Sequence, residues 1–532
     1  MAGVPASEKS TVASKGLKVG ALGLLSTIVI GVASTAPAYS LAATLGSISG
    51  AVSFRSPIIM ILAFVPMLFI AFAYRALNEA EPDCGTSFTW VMRAFGRHTG
   101  WITGWVIVAA DVIVMANLAQ IAGQYGFLLF NLDGLASSIG WSTLAGCIWI
   151  LLMTWISWRG IELSARTQVI LLACELGVLF IFSVAALVKV YAGNAGALAI
   201  HPSWSWFSPS GLTSAAFAAG FLGGLFIYWG WDTAAAVNEE TKDSARTPGL
   251  AAVLSTLLLL LTYVVVTVAA QAFAGTGTKG IGLANPEHTD DVLSSIGNAV
   301  LGGGWGKLLI IAVLSSAAAS TQTTILPTAR TTLSMAAGRA LPRVFGKMSK
   351  HKTPSVSTWA MGIVSILFFA GLAFYNEGNL LFDLILSIGL LIAFYYGLTG
   401  FASAWYFRKE LRHSQKALWL KGILPLLGGI ILLVAFVKSA IDMYDPDSSY
   451  THPFGIGGQF VVGIGSIVLG LILMIIYNIV RPAYFRGRTM ERGTVVTETG
   501  EVIRDDAPPE LPRNRAEEDK QRKGKTRGRH HE

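Results

Sequence analysis

Between residues 20 and 482 the chain is a succession of apolar runs, most of them near twenty residues long, separated by short polar stretches. About 20 apolar residues cross the hydrocarbon core of a bilayer as a helix. Backbone groups in lipid must find partners inside their own segment, so repeated runs of this length pack as helices side by side. Composition agrees: 53% of residues are hydrophobic and 13% charged, against about 25% charged in water-soluble domains. The expected fold is an all-α polytopic membrane protein. Three cysteines, Cys84, Cys147 and Cys174, make no disulfide framework. The net charge of +8 sits between apolar runs and in the C-terminal tail, which is how membrane topology is written rather than a nucleic-acid footprint. No nucleic-acid partner, cofactor or metal is expected, and His530 and His531 in a charged tail are weak metal evidence. The polar head, residues 1–18, leads into a full-length span, so no cleavable signal peptide is read.

Length and hydropathy predict about twelve helices, at roughly 20–47, 57–77, 99–130, 141–158, 164–191, 212–238, 248–274, 300–337, 355–375, 379–407, 418–442 and 458–482. On this count the alternate loops hold most Lys and Arg, from Lys15 and Lys18 to Arg339, Lys350 and Lys421, while the other side holds only Arg55, Lys189, Lys279, Lys307 and Lys438. That asymmetry predicts a cell-membrane protein with both termini cytoplasmic. Loop 79–105 mixes polar and apolar residues and is read as a short amphipathic helix along the membrane face. Residues 1–19 form the cytoplasmic N-terminal segment. From 483 to 532 the chain turns polar, with Pro508, Pro509, Pro512 and a terminal KQRKGKTRGRHH run, and is read as a disordered cytoplasmic tail.

Two of the apolar runs are interrupted at their centres. The first carries Gly31 and then Ser34-Thr35-Ala36-Pro37. Proline removes a backbone donor and clashes with the preceding turn, so helix 1 is expected to unwind near Gly31–Thr35 and restart at Pro37, capped by Ser34 or Thr35. The sixth reads AFAAGFLGGLFIYWGWDTAAAVNEETKDSARTPG, with Gly230, an aromatic cluster and the lone acid Asp232 mid-run. It is expected to break at Tyr228–Asp232, with Asp232 or Thr233 as the cap. Freed backbone groups in a membrane are tolerated only where they line a cavity or protein. Breaks five helices apart point to an inverted repeat with a midplane solute site. Residues 20–191 and 212–407 would be the five-plus-five repeats, and residues 418–482 two extra C-terminal helices.

These stretches resemble the amino acid–polyamine–organocation superfamily over nearly the whole chain before the tail. VIGVASTAPAYS stands where the family has its Gly-rich unwound segment. EPDCGTSFTW followed by FGRHTGWITGW is similar to the family's first inner loop. FIYWGWDTAAAVNEE is close to its aromatic–Gly–acid pattern and Glu pair, and RTTLSMAAGRALPRVFG to its signature after helix 8. Three departures stand out. Gly31-Val32-Ala33 replaces Gly-small-Gly, Phe88 or Trp90 stands near the usual loop Tyr, and Ala337-Gly338-Arg339 replaces an acid-Gly pair. The resemblance implies a secondary active transporter of amino acids or related amines, working by alternating access. Phe226 matches the family's gating aromatic, and Asp232 a position where relatives carry an acid.

Helix ends can hold a zwitterion without charged side chains. Restarted N-termini offer free N–H groups to a carboxylate, and the ends of the first halves offer carbonyls to an ammonium. The candidate substrate site is Ile30, Gly31, Val32, Ala33, Ser34 and Thr35 with Phe226, Tyr228, Trp229, Gly230 and Trp231. The carbonyls around Ile30–Val32 and Phe226–Tyr228 are expected as free acceptors. Four acids fall within spans, Asp111, Glu175, Asp232 and Asp383, and intramembrane acids are functional suspects by default. Burial favours the neutral form of a carboxyl group, so Asp232, and after it Asp111 and Glu175, are the coupling candidates, with H+ preferred to Na+. Sodium would need oxygens such as those of Ser34, Thr35, Ser320 and Thr321. The alternative is a polyamine or amino acid/amine exchanger, with Asp111 adding negative charge to the pocket. No G-x-x-x-x-G-K-[ST] motif supports ATP drive, no repeated filter segment supports a channel, and no span holds a histidine to serve an intramembrane hydrolase. A two-half major-facilitator transporter would not confine its breaks to helices 1 and 6.

Overall fold

The first apolar run breaks at its proline. Helix α1 (Leu24–Ser34) stops before Thr35, and α2 (Pro37–Val52) begins with Pro37 in its first turn. The ring blocks helical continuation, and the amide it lacks would be unsatisfied there anyway. Ala36 between them is left-handed, at φ 47° and ψ 64°. The break is narrower than Gly31–Thr35, because Gly31 remains helical. Its glycine serves close packing: a Cβ there would lie 2.7 Å from Ser255 Oγ. Neither Ser34 nor Thr35 caps the restart; the N-cap residue is Ala36, with no side-chain cap.

The computed structural model describes residues 15–288, 291–302, 304–375, 379–487, 494–497 and 502–504. After α2 come α3 (Ser56–Ala80), α4 (Ser87–Phe95), α5 (Arg97–Leu129), α6 (Ile139–Arg159) and α7 (Ile161–Tyr191). The sixth pass is α8 (Ser214–Ile227) and the short α9 (Thr233–Ala236). Then follow α10 (Thr247–Ala274), α11 (Val292–Leu301), α12 (Lys307–Ala337), α13 (Ser355–Ala373), α14 (Asn379–Tyr406), α15 (Leu424–Tyr444) and α16 (Gly458–Val480). Among the described residues, 10 helical stretches are long and apolar enough to cross a membrane, and the first, Leu24–Ala80, has length for two passes. With the interrupted sixth pass this is the polytopic all-α bundle expected. The span predicted at 300–337 is shorter, since Gly302, at φ 75°, ends the separate helix α11 before α12 begins.

Several passes pack on the one five further along the chain. Pass 1 lies on pass 6 through α2 and α8, pass 2 on pass 7 through α3 and α10, pass 3 on pass 8 through α5 and α12, and pass 4 on pass 9 through α6 and α13. Four pairs of passes set five apart thus pack together, an arrangement that a pseudo-twofold axis in the membrane plane permits. Helix α15 packs on α14 and α3, and α16 on α14 and α5, outside this core.

Two expectations at the basic end of the bundle change. Helix α4 does not lie along a membrane face. Phe88, Trp90 and Val91 are buried, and α4 packs on α5 and α14, so its apolar side is satisfied by protein rather than lipid. The stretch after pass 12 is also ordered at its start. Tyr484 is fully buried, its hydroxyl donates to the Arg97 carbonyl at 3.0 Å, and Arg97 donates to the Tyr484 carbonyl at 2.6 Å. Strands β1 (Lys347–Met348), β2 (Thr494–Thr497) and β3 (Val502–Arg504) form a small ladder. Pro508, Pro509, Pro512, His530, His531 and the KQRKGKTRGRHH run lie outside the described residues.

Candidate functional site

The two breaks touch. Gly230, at φ 118°, lies so close to the first break that a Cβ would stand 2.6 Å from the Ser34 carbonyl oxygen. Ser34 Oγ and Thr233 Oγ1 share a hydrogen bond of 2.9 Å across the gap. Backbone groups freed by the breaks are engaged both from neighbouring helices and by nearby residues of the same pass. Ser320 Oγ donates to the Ser34 carbonyl at 2.9 Å, Thr35 Oγ1 to Val32 at 2.7 Å, and Ser40 Oγ to Thr35 at 2.7 Å. The Tyr263 hydroxyl donates to the Ile227 carbonyl at 2.5 Å, and the Trp229 N–H to Phe226 at 3.0 Å. The carbonyls of Val32, Phe226 and Ile227 are therefore not the free acceptors expected, since backbone groups in this environment demand partners and hydroxyls supply them.

The N-terminus of α2 is also taken, by a carboxylate of the protein itself. Glu175, from the middle of α7, accepts from the Ala38 N–H at 2.7 Å and the Ser316 hydroxyl at 2.7 Å through one oxygen, Oε1. Ser316 Oγ accepts in turn from the Tyr39 N–H at 3.2 Å. An anion at a helix N-terminus is favoured by the free amides and the dipole, so Glu175 occupies the place foreseen for a substrate carboxylate. Its second oxygen, Oε2, is buried and has no partner among the described residues.

Asp232 lies at the opposite break and does not cap α9 with its side chain. Three phenols hold its carboxylate: Tyr396 donates at 2.8 Å, Tyr395 at 3.2 Å and Tyr74 at 3.3 Å. Further hydrogen bonds hold the phenols in place. Trp229 Nε1 donates to Tyr395 at 2.6 Å, Tyr74 and Ser87 share a bond of 2.6 Å, and Thr399 donates to Ser87 at 2.7 Å. Hydrogen bonds to a charged acceptor contribute about 1.5–3 kcal/mol each, comparable to the roughly 3 kcal/mol cost of an aspartate at mid-bilayer. Three such bonds together exceed that cost, so the cage can hold a charged carboxylate inside the bundle. Asp232 is half-buried, whereas Trp231 beside it is fully buried against the Tyr74 and Tyr396 rings.

The other expected residues divide between site and scaffold. Val32, Ala33, Ser34, Thr35, Trp229, Gly230 and Trp231 gather at the junction of the breaks. Ile30 instead joins an apolar plug with Leu22, Ile161, Val237 and Leu326 at the basic end. Tyr228 is a packing residue, its hydroxyl bonded to the Met60 carbonyl at 3.0 Å and its ring edge-on to Tyr263. Phe226 is buried at the end of α8. Asp111 accepts from Thr328 Oγ1 at 2.5 Å. Asp383 is structural: it receives the Tyr450 and Thr451 N–H groups, each at 2.9 Å, and anchors that loop. The residues the sequence did not single out are Tyr74, Tyr395, Tyr396, Ser87 and Thr399. The adjacent tyrosines 395 and 396 within an apolar run were the available signal.

A latch closes the basic end beneath the breaks. Lys15 Nζ lies 2.5 Å from Glu239 Oε1 and 2.8 Å from Asp83 Oδ2, with Cys84 Sγ at 3.6 Å. Asp83, Cys84 and Glu239 sit close enough to hold a metal ion, but the Lys15 ammonium occupies that position. Asp83 also accepts from Ser334, Thr89 and the Gly85 N–H. Burial alone would lower Lys15; the charges of Asp83 and Glu239 and the hydrogen bond to Asp83 outweigh it and hold the amine well above its ordinary range. Burial alone would raise Asp83; the Lys15 charge and the hydrogen bonds outweigh it and hold the carboxyl well below. A raised Lys contributes until pH climbs through its folded value, and a depressed Asp until pH falls through its own. The latch therefore stays charged from about pH 5 to about pH 9. In a chain carrying Cys147→Ser and Cys174→Ser, maleimide labelling of the buried Cys84, scaled to the unfolded chain at each pH, should stay low across that window. Lys15→Gln should raise it about tenfold or more throughout. Equal labelling of both chains would show that no latch exists.

Two apolar concavities lie away from the breaks, one between α5, α12, α13 and α16 and one between α3, α8 and α15. Their walls are almost without polar groups, so they do not suit a charged metabolite. A helical bundle with two broken passes meeting at its centre is the architecture of a solute carrier. The amino acid permease profile matches residues 22–476, and the chain belongs to that family, within the superfamily its motifs resemble. The chain is 26% identical over 404 residues to the branched-chain amino acid permease BcaP of Lactococcus lactis subsp. cremoris (strain MG1363), covering 71% of this chain and 80% of that one. It is 24% identical over 349 residues to the methylthioribose transporter of Bacillus subtilis (strain 168), covering 63% and 70%. To the arginine/ornithine antiporter of Latilactobacillus sakei it is 23% identical over 322 residues, covering 57% and 62%. These relatives are transporters, not enzymes.

Proposed function

We propose that this permease carries an amino acid or a related amine across the cell membrane by alternating access, with a proton as the coupling ion and both termini in the cytoplasm. The single observation that supports this most is the junction of the two breaks, where Gly230 meets Ser34 and Asp232 stands beside it. Substrate would bind there, between Val32–Thr35 and Trp229–Trp231. Glu175 already holds the α2 N-terminus, so a substrate carboxylate reaches that end only by displacing or neutralising Glu175. Among the described residues no Lys, Arg or His pairs with Asp232, Asp111 or Glu175. An unpaired carboxylate inside a membrane needs a proton or a cationic group to neutralise it. The first gives proton symport. The second gives a cationic amine or amino acid as substrate and, with a product of like charge, exchange.

Counterflow in proteoliposomes with branched-chain amino acids, cationic amino acids and polyamines tests the substrate class. Accumulation of none of them would overturn the reading. An inside-alkaline pH gradient should drive uptake by the wild type. Asp232→Asn should remove that drive, leaving uptake the same with and without the gradient. Gradient-driven uptake by Asp232→Asn at the wild-type level would take the coupling role from this residue.

A further inference from the structure

At the basic end, outside the latch, α6 ends and α7 begins around Gly160, which turns the chain at φ 137°. Here lies a concavity of about 440 Å³ lined by Lys18, Arg159, Arg166, Lys350 and Lys352 with one acid, Glu162. Glu162 is engaged with Lys18 at 2.8 Å. Its charge also acts on Arg166, and among the described residues no carboxylate lies within ion-pair distance of Arg159, Arg166, Lys350 or Lys352. The walls are tied together in advance: Thr353 Oγ1 donates to the Trp158 carbonyl at 2.8 Å, Trp158 Nε1 donates to Ser355 Oγ at 3.2 Å, and the His351 ring stands edge-on to Trp158. The N-terminus of the 31-residue helix α7 opens beside it with no side-chain cap. Like charges converging on one preformed hollow, with free helix amides at its edge, call for an anion.

The surroundings say what the anion is attached to. Next to the hollow, the outer faces of α6 and α7 expose Leu151, Leu152, Trp155 and Leu163. The Arg159 guanidinium lies over the Trp155 ring, 5.4 Å from its centre. Interfacial tryptophan beside arginine marks the level where headgroup meets hydrocarbon. A free phosphate would use only the basic hollow; a phospholipid would use both surfaces. We propose that this hollow binds the phosphodiester headgroup of an anionic glycerophospholipid, with the acyl chains lying along α6 and α7.

The test uses the full chain, purified in mixed micelles of phosphatidylglycerol and phosphatidylcholine, with bound lipid counted by native mass spectrometry. The wild type should retain phosphatidylglycerol over phosphatidylcholine, and the preference should fall as salt rises. Arg159→Gln, Arg166→Gln and Lys350→Gln together should weaken retention on the order of 100-fold. Lys409→Gln with Arg412→Gln removes basic residues elsewhere and should leave it unchanged. The single change Arg166→Gln, at an exposed position, should give an intermediate loss if the triple variant does not fold. Inorganic phosphate at equal concentration should not compete. Equal retention of both lipids, an equal loss in the control pair, or full competition by inorganic phosphate would each overturn the proposal, the last by assigning a soluble anion.

Discussion

Gly230→Ala is expected to abolish transport while the protein still inserts and folds. The residue stands at φ 118°, where alanine is strained, and its new Cβ would lie 2.6 Å from the Ser34 carbonyl oxygen and 2.8 Å from that carbonyl carbon. Both atoms are backbone, so no side chain can swing aside. The sixth pass must move off the first, and the bond from Ser34 to Thr233 is lost with it. Strain of about 3 kcal/mol at this junction corresponds to a loss of uptake on the order of 100-fold. Gly177→Ala is the matched control, because a Cβ there meets nothing within 4 Å. Uptake in proteoliposomes at wild-type level for both chains would show that the two breaks need not close on each other.

The largest effect on stability is expected from Glu240→Gln. Arg330 on α12 and Glu240, just after α9, form a pair at 2.6 Å whose side chains are 2% and 0% exposed. Arg330 also donates to the Leu326 carbonyl at 3.3 Å, so the guanidinium is fixed in place. The backbone of Glu240 receives the Leu22 N–H at 3.0 Å. This corner therefore joins passes 1, 6 and 8. Removing the negative charge leaves a buried cation without its counter-charge, a loss of roughly 3–5 kcal/mol. Arg330→Met with Glu240→Met removes both charges and should recover most of that loss, since no ion is then buried. Unfolding of the detergent-solubilised chain measures both. A single variant as stable as the wild type, or a double variant no better than the single, would contradict the role assigned to the pair.

The lesson from the acids is that lipid burial demands a partner without naming it. Asp232 was recognisable as out of place in an apolar run, and so were Asp111, Glu175 and Asp383. Their fates differ because their partners come from elsewhere: three phenols from α3 and α14 for Asp232, Thr328 from α12 for Asp111, the Ala38 amide of α2 for Glu175, and the loop between α15 and α16 for Asp383. Asp232 and Tyr396 are 164 residues apart in sequence. Gly31 shows the same ambiguity at a glycine. Conformational freedom and absence of bulk look alike in a sequence, and only the Ser255 hydroxyl packed against it shows that bulk was the reason.

What the sequence determined by itself was the number and path of the apolar passes and the two places where they break. Those depend on local physics: the length of a run against the bilayer, the missing amide of Pro37, and the φ that Gly230 can adopt. Tertiary structure alone decided that the breaks meet, that Glu175 fills one helix end, and that a tyrosine cage surrounds Asp232. Each of those follows from the crossing of helices distant in the chain, where a side chain's neighbours are set by the packing of whole elements and not by its own segment.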